Sequence, residues 1–130
     1  MHGNFIPYMR AFLVEKLDPS FIIMFGSYSN GAERGESDID LAFCSNQQHS
    51  AYKLFLMGQQ LADVIEEEVH LVDIRNASFT FRTQIFSRGT VIFSEDERLR
   101  MELQMGAYSM YALTNEEQAV ISNSINERRA

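Results

Sequence analysis

The sequence predicts an α/β (α+β) domain in which helices pack on a small mixed β-sheet, ending in C-terminal helices. Three observations carry this. Short apolar runs of strand length alternate with longer stretches of helical period. Hydrophobic residues make up 45% of the 130-residue chain and charged residues 22%, enough for a core and too little charge for disorder. No repeat, low-complexity tract or linker interrupts residues 1–130, which read as one domain.

Each element follows from its own pattern. Residues 5 to 17 form a helix with Phe12, Leu13, Val14 and Leu17 available for burial, closed by Pro19. Phe21 to Phe25 is a short continuous apolar run, a buried strand that ends at Gly26. Asp38 to Phe43 alternates as a second strand, with Ile39, Leu41 and Phe43 on one face and Asp38 and Asp40 on the other. A helix over 50–66 places Leu54, Met57, Leu61, Val64 and Ile65 at helical spacing. Val69 to Ile74 is a third strand. A helix over 79–88 ends at Gly89, and Thr90 to Phe93 forms a fourth strand or an extended edge.

Ser94-Glu95-Asp96-Glu97 is a capping box that starts a long helix, with Leu99, Leu103, Gly106, Met110 and Leu113 on one face. Thr114-Asn115-Glu116-Glu117 is a second box and starts a last, polar helix. Met101, Met105, Tyr108 and Tyr111 flank the leucine stripe and make this helix apolar over more than one face. That suits double burial or a partner protein.

The bulk numbers narrow the function. A formal charge of −7 repels phosphate backbones, so no nucleic-acid partner is expected. The single cysteine, Cys44, forbids an internal disulfide and suits a reducing compartment. No basic, apolar leader and no membrane-length run is present, so a cytoplasmic protein is expected.

The chemistry concentrates in "GSYSNGAERGESDID", residues 26 to 40. Alternation sets the Asp38 and Asp40 carboxylates on one face, about 7 Å apart. Two like charges held close need neutralising. A hard divalent cation such as magnesium does this with carboxylates, phosphate oxygens and water. Gly26 lets the backbone approach a ligand, and Ser27 offers a hydroxyl and an amide at a helix start, where anions are favoured. Gly31 and Gly35 keep the connection to the aspartates short and pliable. A D-x-D pair alone is as often a solvated strand edge, and Gly-Ser alone says less. Together they describe donors for phosphate oxygens beside carboxylates for a bridging metal.

Gly26-Ser27, ten residues, then Asp38-Ile39-Asp40 resembles the signature of the DNA polymerase beta-like nucleotidyltransferases. The fuller run "FGSYSNGAERGESDIDLAF" is similar to the minimal nucleotidyltransferases, the MntA-like antitoxins. The likeness is specific over residues 21 to 43 and extends by element order over about 8–105, leaving 106–130 as a helical extension. The resemblance implies a nucleotidyltransferase-like fold. It implies ATP held with magnesium, two ions in all, by Gly26, Ser27, Asp38 and Asp40. It also implies transfer of AMP to a tyrosine hydroxyl of a HEPN-domain ribonuclease toxin, silencing it. Two other readings stand beside this one: an antitoxin that works by covering its toxin, and a nucleotidyltransferase acting on a small molecule. The last usually needs a second domain for the acceptor, for which this chain has little room.

The family carries a third carboxylate on a later strand. The matching segment here, "EEVHLVDIRN", puts His70 at that position, with Glu68 on the same face and Asp73 on the other. His70 can serve as base for the acceptor hydroxyl. Alternatively Glu68 or Asp73 replaces the carboxylate, or the site binds nucleotide and transfers little. A half-buried strand histidine is the plain structural alternative. Arg34, Arg75 and Lys53 read as surface cations with phosphate contact as a lesser option. Phe79, Phe81, Phe86 and Phe93 read as core, and His2 and His49 receive no role.

Overall fold

The computed structural model describes residues 5–26 and 38–129, with side chains up to residue 114. The chain runs through helix α1 (Phe5–Leu17), strands β1 (Pro19–Phe25) and β2 (Ile39–Ser45), and helix α2 (Ala51–Ile65). Strand β3 (Val69–Asp73), a 3-10 turn (Ile74–Asn76), helix α3 (Phe79–Arg88), strand β4 (Thr90–Ser94) and helix α4 (Glu97–Arg129) complete it. The strands form one mixed sheet in the order β3-β2-β1-β4. β1 is antiparallel to β2 and to β4, while β2 and β3 run parallel and are joined through α2. Among the described residues no helix is long and apolar enough to cross a membrane.

β1 is buried along its whole length because it is central and both its faces are covered. Ile22 and Met24 face one cluster, with Ile39, Leu41 and Phe43 of β2 and the inner sides of α1 and α2. Phe21, Ile23 and Phe25 face the other, with Ala42, Cys44, Ile74 and Ile85, flanked by Phe81, Phe86, Leu99 and Leu103. Strand alternation thus divides one apolar run between two cores. A one-residue slip would exchange the two sets, so the register is strongly specified. Asp40 shares the second face but stands at its end, where the apolar cover stops.

The helices follow their sequence signals, with corrections. α1 buries Phe5, Met9, Leu13 and Leu17, a strict four-residue row, while Phe12 and Val14 only flank the core. In α2, Ser50 caps the first turn by accepting from the Lys53 amide at 3.1 Å, and Leu54, Met57, Gly58, Leu61 and Ile65 are buried. Val64, expected inside, is exposed. The cause is Gly58: a Cβ there would lie 2.6 Å from the Val69 carbonyl oxygen, so the helix rolls its bare backbone onto β3 and turns Val64 outward.

α4 is capped by Asp96, which accepts from the Leu99 amide at 3.0 Å, rather than by Ser94. Its inward row is Leu99, Leu103 and Ala107, set by contact with α3, where the Thr83 hydroxyl donates to the Ala107 carbonyl at 3.1 Å. The expected stripe through Gly106, Met110 and Leu113 therefore points away: Met110 and Leu113 are exposed, and a Cβ on Gly106 would meet open space. The helix also runs unbroken past Thr114, so the second capping box starts no separate helix. Phe79, read as core, lies on the surface beneath the Arg82 guanidinium, which sits 5.1 Å from its ring centroid.

Candidate active site at one end of the sheet

Three strand ends converge because of the sheet's directions. β1 leaves the sheet at Gly26, and its antiparallel neighbour β2 enters it at the same end. β3, parallel to β2, enters there too. Phe25 pairs with Asp40, and Asp40 pairs with His70. The Ile39 amide donates to the Glu68 carbonyl at 2.8 Å, which fixes the start of β3 beside the start of β2. The order across the sheet end is then Gly26 just after β1, Asp38 just before β2 with Asp40 in it, and Glu68 just before β3 with His70 in it.

Gly26 has φ +84°, a conformation that favours glycine. A Cβ at that position would fall on the Asp40 carboxylate oxygen, with Cγ only 3.2 Å away. Within the chain, the group that comes close to Gly26 is the Asp40 carboxylate. Ser27, Gly31, Arg34 and Gly35 lie outside the described residues, as does His2.

On the other side of Asp40, the His70 Nε2 stands 3.4 Å from Asp38 Oδ2 and 3.4 Å from Glu68 Oε1. One ligand atom each from Asp38, Glu68 and His70 lies within 4.8 Å of the others, a spacing one cation can span. All three side chains are about half exposed. Burial pushes the Asp40 carboxyl above its ordinary value; His70 pulls it back, and Asp38 and Glu68 push it further up. Carboxylates are therefore gathered here against their mutual repulsion. The carboxylate oxygens of Asp38, Asp40 and Glu68 suit magnesium, whereas imidazole nitrogen is the wrong donor type for it.

Of the three candidates for a third acidic position, the structure brings Glu68 and His70 to Asp38. Asp73 lies at the opposite end of β3, beside Phe43, where it accepts from the Arg75 amide at 3.0 Å and caps the 3-10 turn. Arg75 is at that end as well, where its positive charge acts on Cys44, and Lys53 lies in the first turn of α2. Neither approaches the carboxylates. The sequence reading missed a cleft of about 220 Å³ between the start of α2 and β3, lined by Ala51, Leu54, Phe55, Val69, His70 and Leu71. Its one sequence signal was Gly58, a glycine within an apolar helical stripe.

The family model described as "Polymerase beta, Nucleotidyltransferase" matches residues 9–98. The protein adenylyltransferase MntA of Shewanella oneidensis is 32% identical over 105 residues, covering 78% of this chain and 73% of the relative. A toxin–antitoxin structure with AMP-PNP matches with a TM-score of 0.79 at 27% identity, over 92% of this chain and 98% of the other. The tri-AMPylated Shewanella oneidensis HEPN toxin in complex with its MNT antitoxin matches with a TM-score of 0.76 at 25% identity, over 96% and 99%. This chain belongs to the polymerase beta nucleotidyltransferase family and, within it, to the MntA-type adenylyltransferases.

Proposed function

We propose that this protein is the antitoxin of a HEPN-type toxin–antitoxin pair, and that it silences its partner by moving AMP from ATP to a tyrosine hydroxyl of the toxin. The carrying observation is the row of residues across the sheet end: a glycine corner, two aspartates at the start of β2, then Glu68 and His70 at the start of β3. The relatives support it, one being a named adenylyltransferase, one holding an ATP analogue, one bound to an AMPylated toxin.

In this reading Gly26 and Ser27 receive the triphosphate tail. Asp38 and Asp40, with Glu68 as third carboxylate, would hold the magnesium, two ions in all. Bound magnesium supplies charge neutralisation of the phosphates. The chain's own residues do the rest. They fix the α-phosphate between the β1 corner and β3, and His70 stands where the acceptor must arrive. The acceptor oxygen bonds to the α-phosphorus, the bond to pyrophosphate breaks, and His70 takes the hydroxyl proton. A cytoplasmic location suits the buried, free Cys44.

One observation favours a second route to neutralisation. Met101, Met105, Met110 and Leu113 are exposed on α4, an adaptable apolar surface that a protein partner can cover. An antitoxin acting by occlusion needs only that surface. Co-expression with the toxin separates the two. With transfer, mass spectrometry finds AMP added to the toxin, and Asp38→Asn or Asp40→Asn removes it together with protection. If the purified pair with ATP and magnesium gives no added mass, and both variants still protect, occlusion is the mechanism.

A further inference from the structure

We propose that the acceptor segment of the partner protein docks in extended form along the outer side of β3, seating one apolar side chain in the cleft beside Phe55. The proposal rests on the transfer reading above and adds to it the surface that delivers the hydroxyl.

The order of the sheet sets the direction of approach. Attacking and leaving oxygens lie roughly in line in phosphoryl-group transfer. With the triphosphate tail at the Gly26 corner on β1 and the carboxylates on β2, the acceptor must enter from the far side. That side is β3, an edge strand whose one neighbour in the described sheet is β2. An edge strand is a template for an extended segment from another chain.

Among the described residues no strand pairs with the outer side of β3. α2 closes over it at Val69, where Gly58 meets the carbonyl oxygen, and leaves the cleft next to His70 and Leu71. At about 220 Å³ the cleft is smaller than the roughly 300–1,000 Å³ typical of small-molecule sites, so it suits a side chain rather than a nucleotide. Its outer wall is apolar and unusually bare: Phe55 is 59% exposed, and its helix neighbours Tyr52 and Leu56 are 71% and 42% exposed.

Alternation then connects cleft and chemistry. Val69 and Leu71 face the α1/α2 core, so His70 between them faces the opposite side, next to Asp40. A segment laid along β3 obeys the same alternation. A side chain in the cleft puts its neighbour, one residue along, on the face of His70 and the carboxylates. The occupant is thus a protein segment in which an apolar residue adjoins the hydroxyl-bearing acceptor.

Phe55→Glu changes an exposed position and leaves the core intact. In transfer assays with ATP, magnesium and the purified toxin, it is expected to raise the KM for toxin about tenfold or more, the size of one lost aromatic anchor. AMP-PNP affinity should stay at the wild-type value. An unchanged KM overturns the proposal. As a second measurement, a photo-crosslinking residue at position 55 in the purified complex without ATP should join one segment of the toxin, beside a hydroxyl-bearing residue. An adduct elsewhere on the toxin, or none, also overturns it. Because the crosslink needs no catalysis, it decides the docking surface even if the wild-type chain labels nothing, the outcome that would sink the transfer reading alone.

Discussion

The two ends of the sheet use similar residues to opposite effect. At the end where β3 finishes, polar side chains are bonded to the backbone of the fold. The Ser45 hydroxyl donates to the Leu17 carbonyl at 2.8 Å and accepts from the Gln47 amide at 3.2 Å. Asp73 caps the 3-10 turn, and Arg82 donates to the carbonyls of Ala77 and Arg75 at 3.0 and 2.8 Å. At the other end, Asp38, Asp40 and Glu68 crowd one another around a single imidazole. An aspartate spent on a cap stabilises the fold. An aspartate held among like charges does not, and it waits for a cation or ligand to complete it. The difference separates scaffold from chemistry without reference to any relative.

The largest test of this contrast removes charge from the crowded end. Asp38→Asn or Asp40→Asn should lower AMP transfer by about 10²–10³-fold, the scale seen when one preorganised charge-stabilising group is lost. Thermal unfolding should show no loss of stability, because each substitution relieves repulsion. A variant that loses activity and melts early would mean that these carboxylates serve the fold.

Next in size is Gly26→Ala. The left-handed φ of +84° and the overlap of the new methyl with Asp40 act together. A destabilisation of about 1–3 kcal/mol is expected, read from denaturant unfolding. Nucleotide affinity should fall as well, since Asp40 must move. Unchanged stability would show that this corner carries no strain.

A smaller effect sets one end directly against the other. Asp73→Ala removes a cap and should cost about 1 kcal/mol while leaving the kcat of transfer untouched. Glu68→Gln, from the same strand, should do the reverse, reducing transfer without loss of stability. If Asp73→Ala instead slowed transfer and Glu68→Gln did not, the third carboxylate would have to be reassigned across the strand.

How much of this was legible in the sequence depends on whether a feature is local. The fold class, all four strands and the first three helices could be read, because each is set by its own period and its own cap. So could the common face of Asp38 and Asp40, since strand alternation needs no partner. What escaped depends on a neighbour. The inward row of α4 could continue from Leu103 to Gly106 or to Ala107; packing on α3 chooses Ala107. Val64 sits at the margin of its stripe, and the approach of Gly58 to β3 decides that it stays out. The choice among Glu68, His70 and Asp73 needed the register of β3, because one strand carries them to opposite ends of the sheet. The cleft beside Phe55 belongs to two elements at once, and its one trace in the sequence is Gly58 in the stripe of α2.

The quiet end also holds the strongest-looking ion pair, and it should matter least. Arg100 reaches both Glu97 carboxylate oxygens at 2.7 Å in the first turn of α4, just after β4 leaves the sheet. That hydrogen bonding holds Glu97 down to about 2 from an ordinary 4.5. A depressed carboxyl lends stability that is fully present above its unfolded value, and it is lost as pH falls through the folded one. The window is therefore pH 4.5 down to about 2. Glu97 is open to solvent, so water and salt screen the pair, and exposed pairs contribute little. Glu97→Gln should leave the melting temperature at pH 7 nearly unchanged. The small difference between variant and wild type should shrink as pH falls from 4.5 and vanish only below about 2. A large loss at pH 7 would mean that the start of α4 is held electrostatically rather than by Asp96 and the Leu99 row, and that good geometry at this end is a stability element after all.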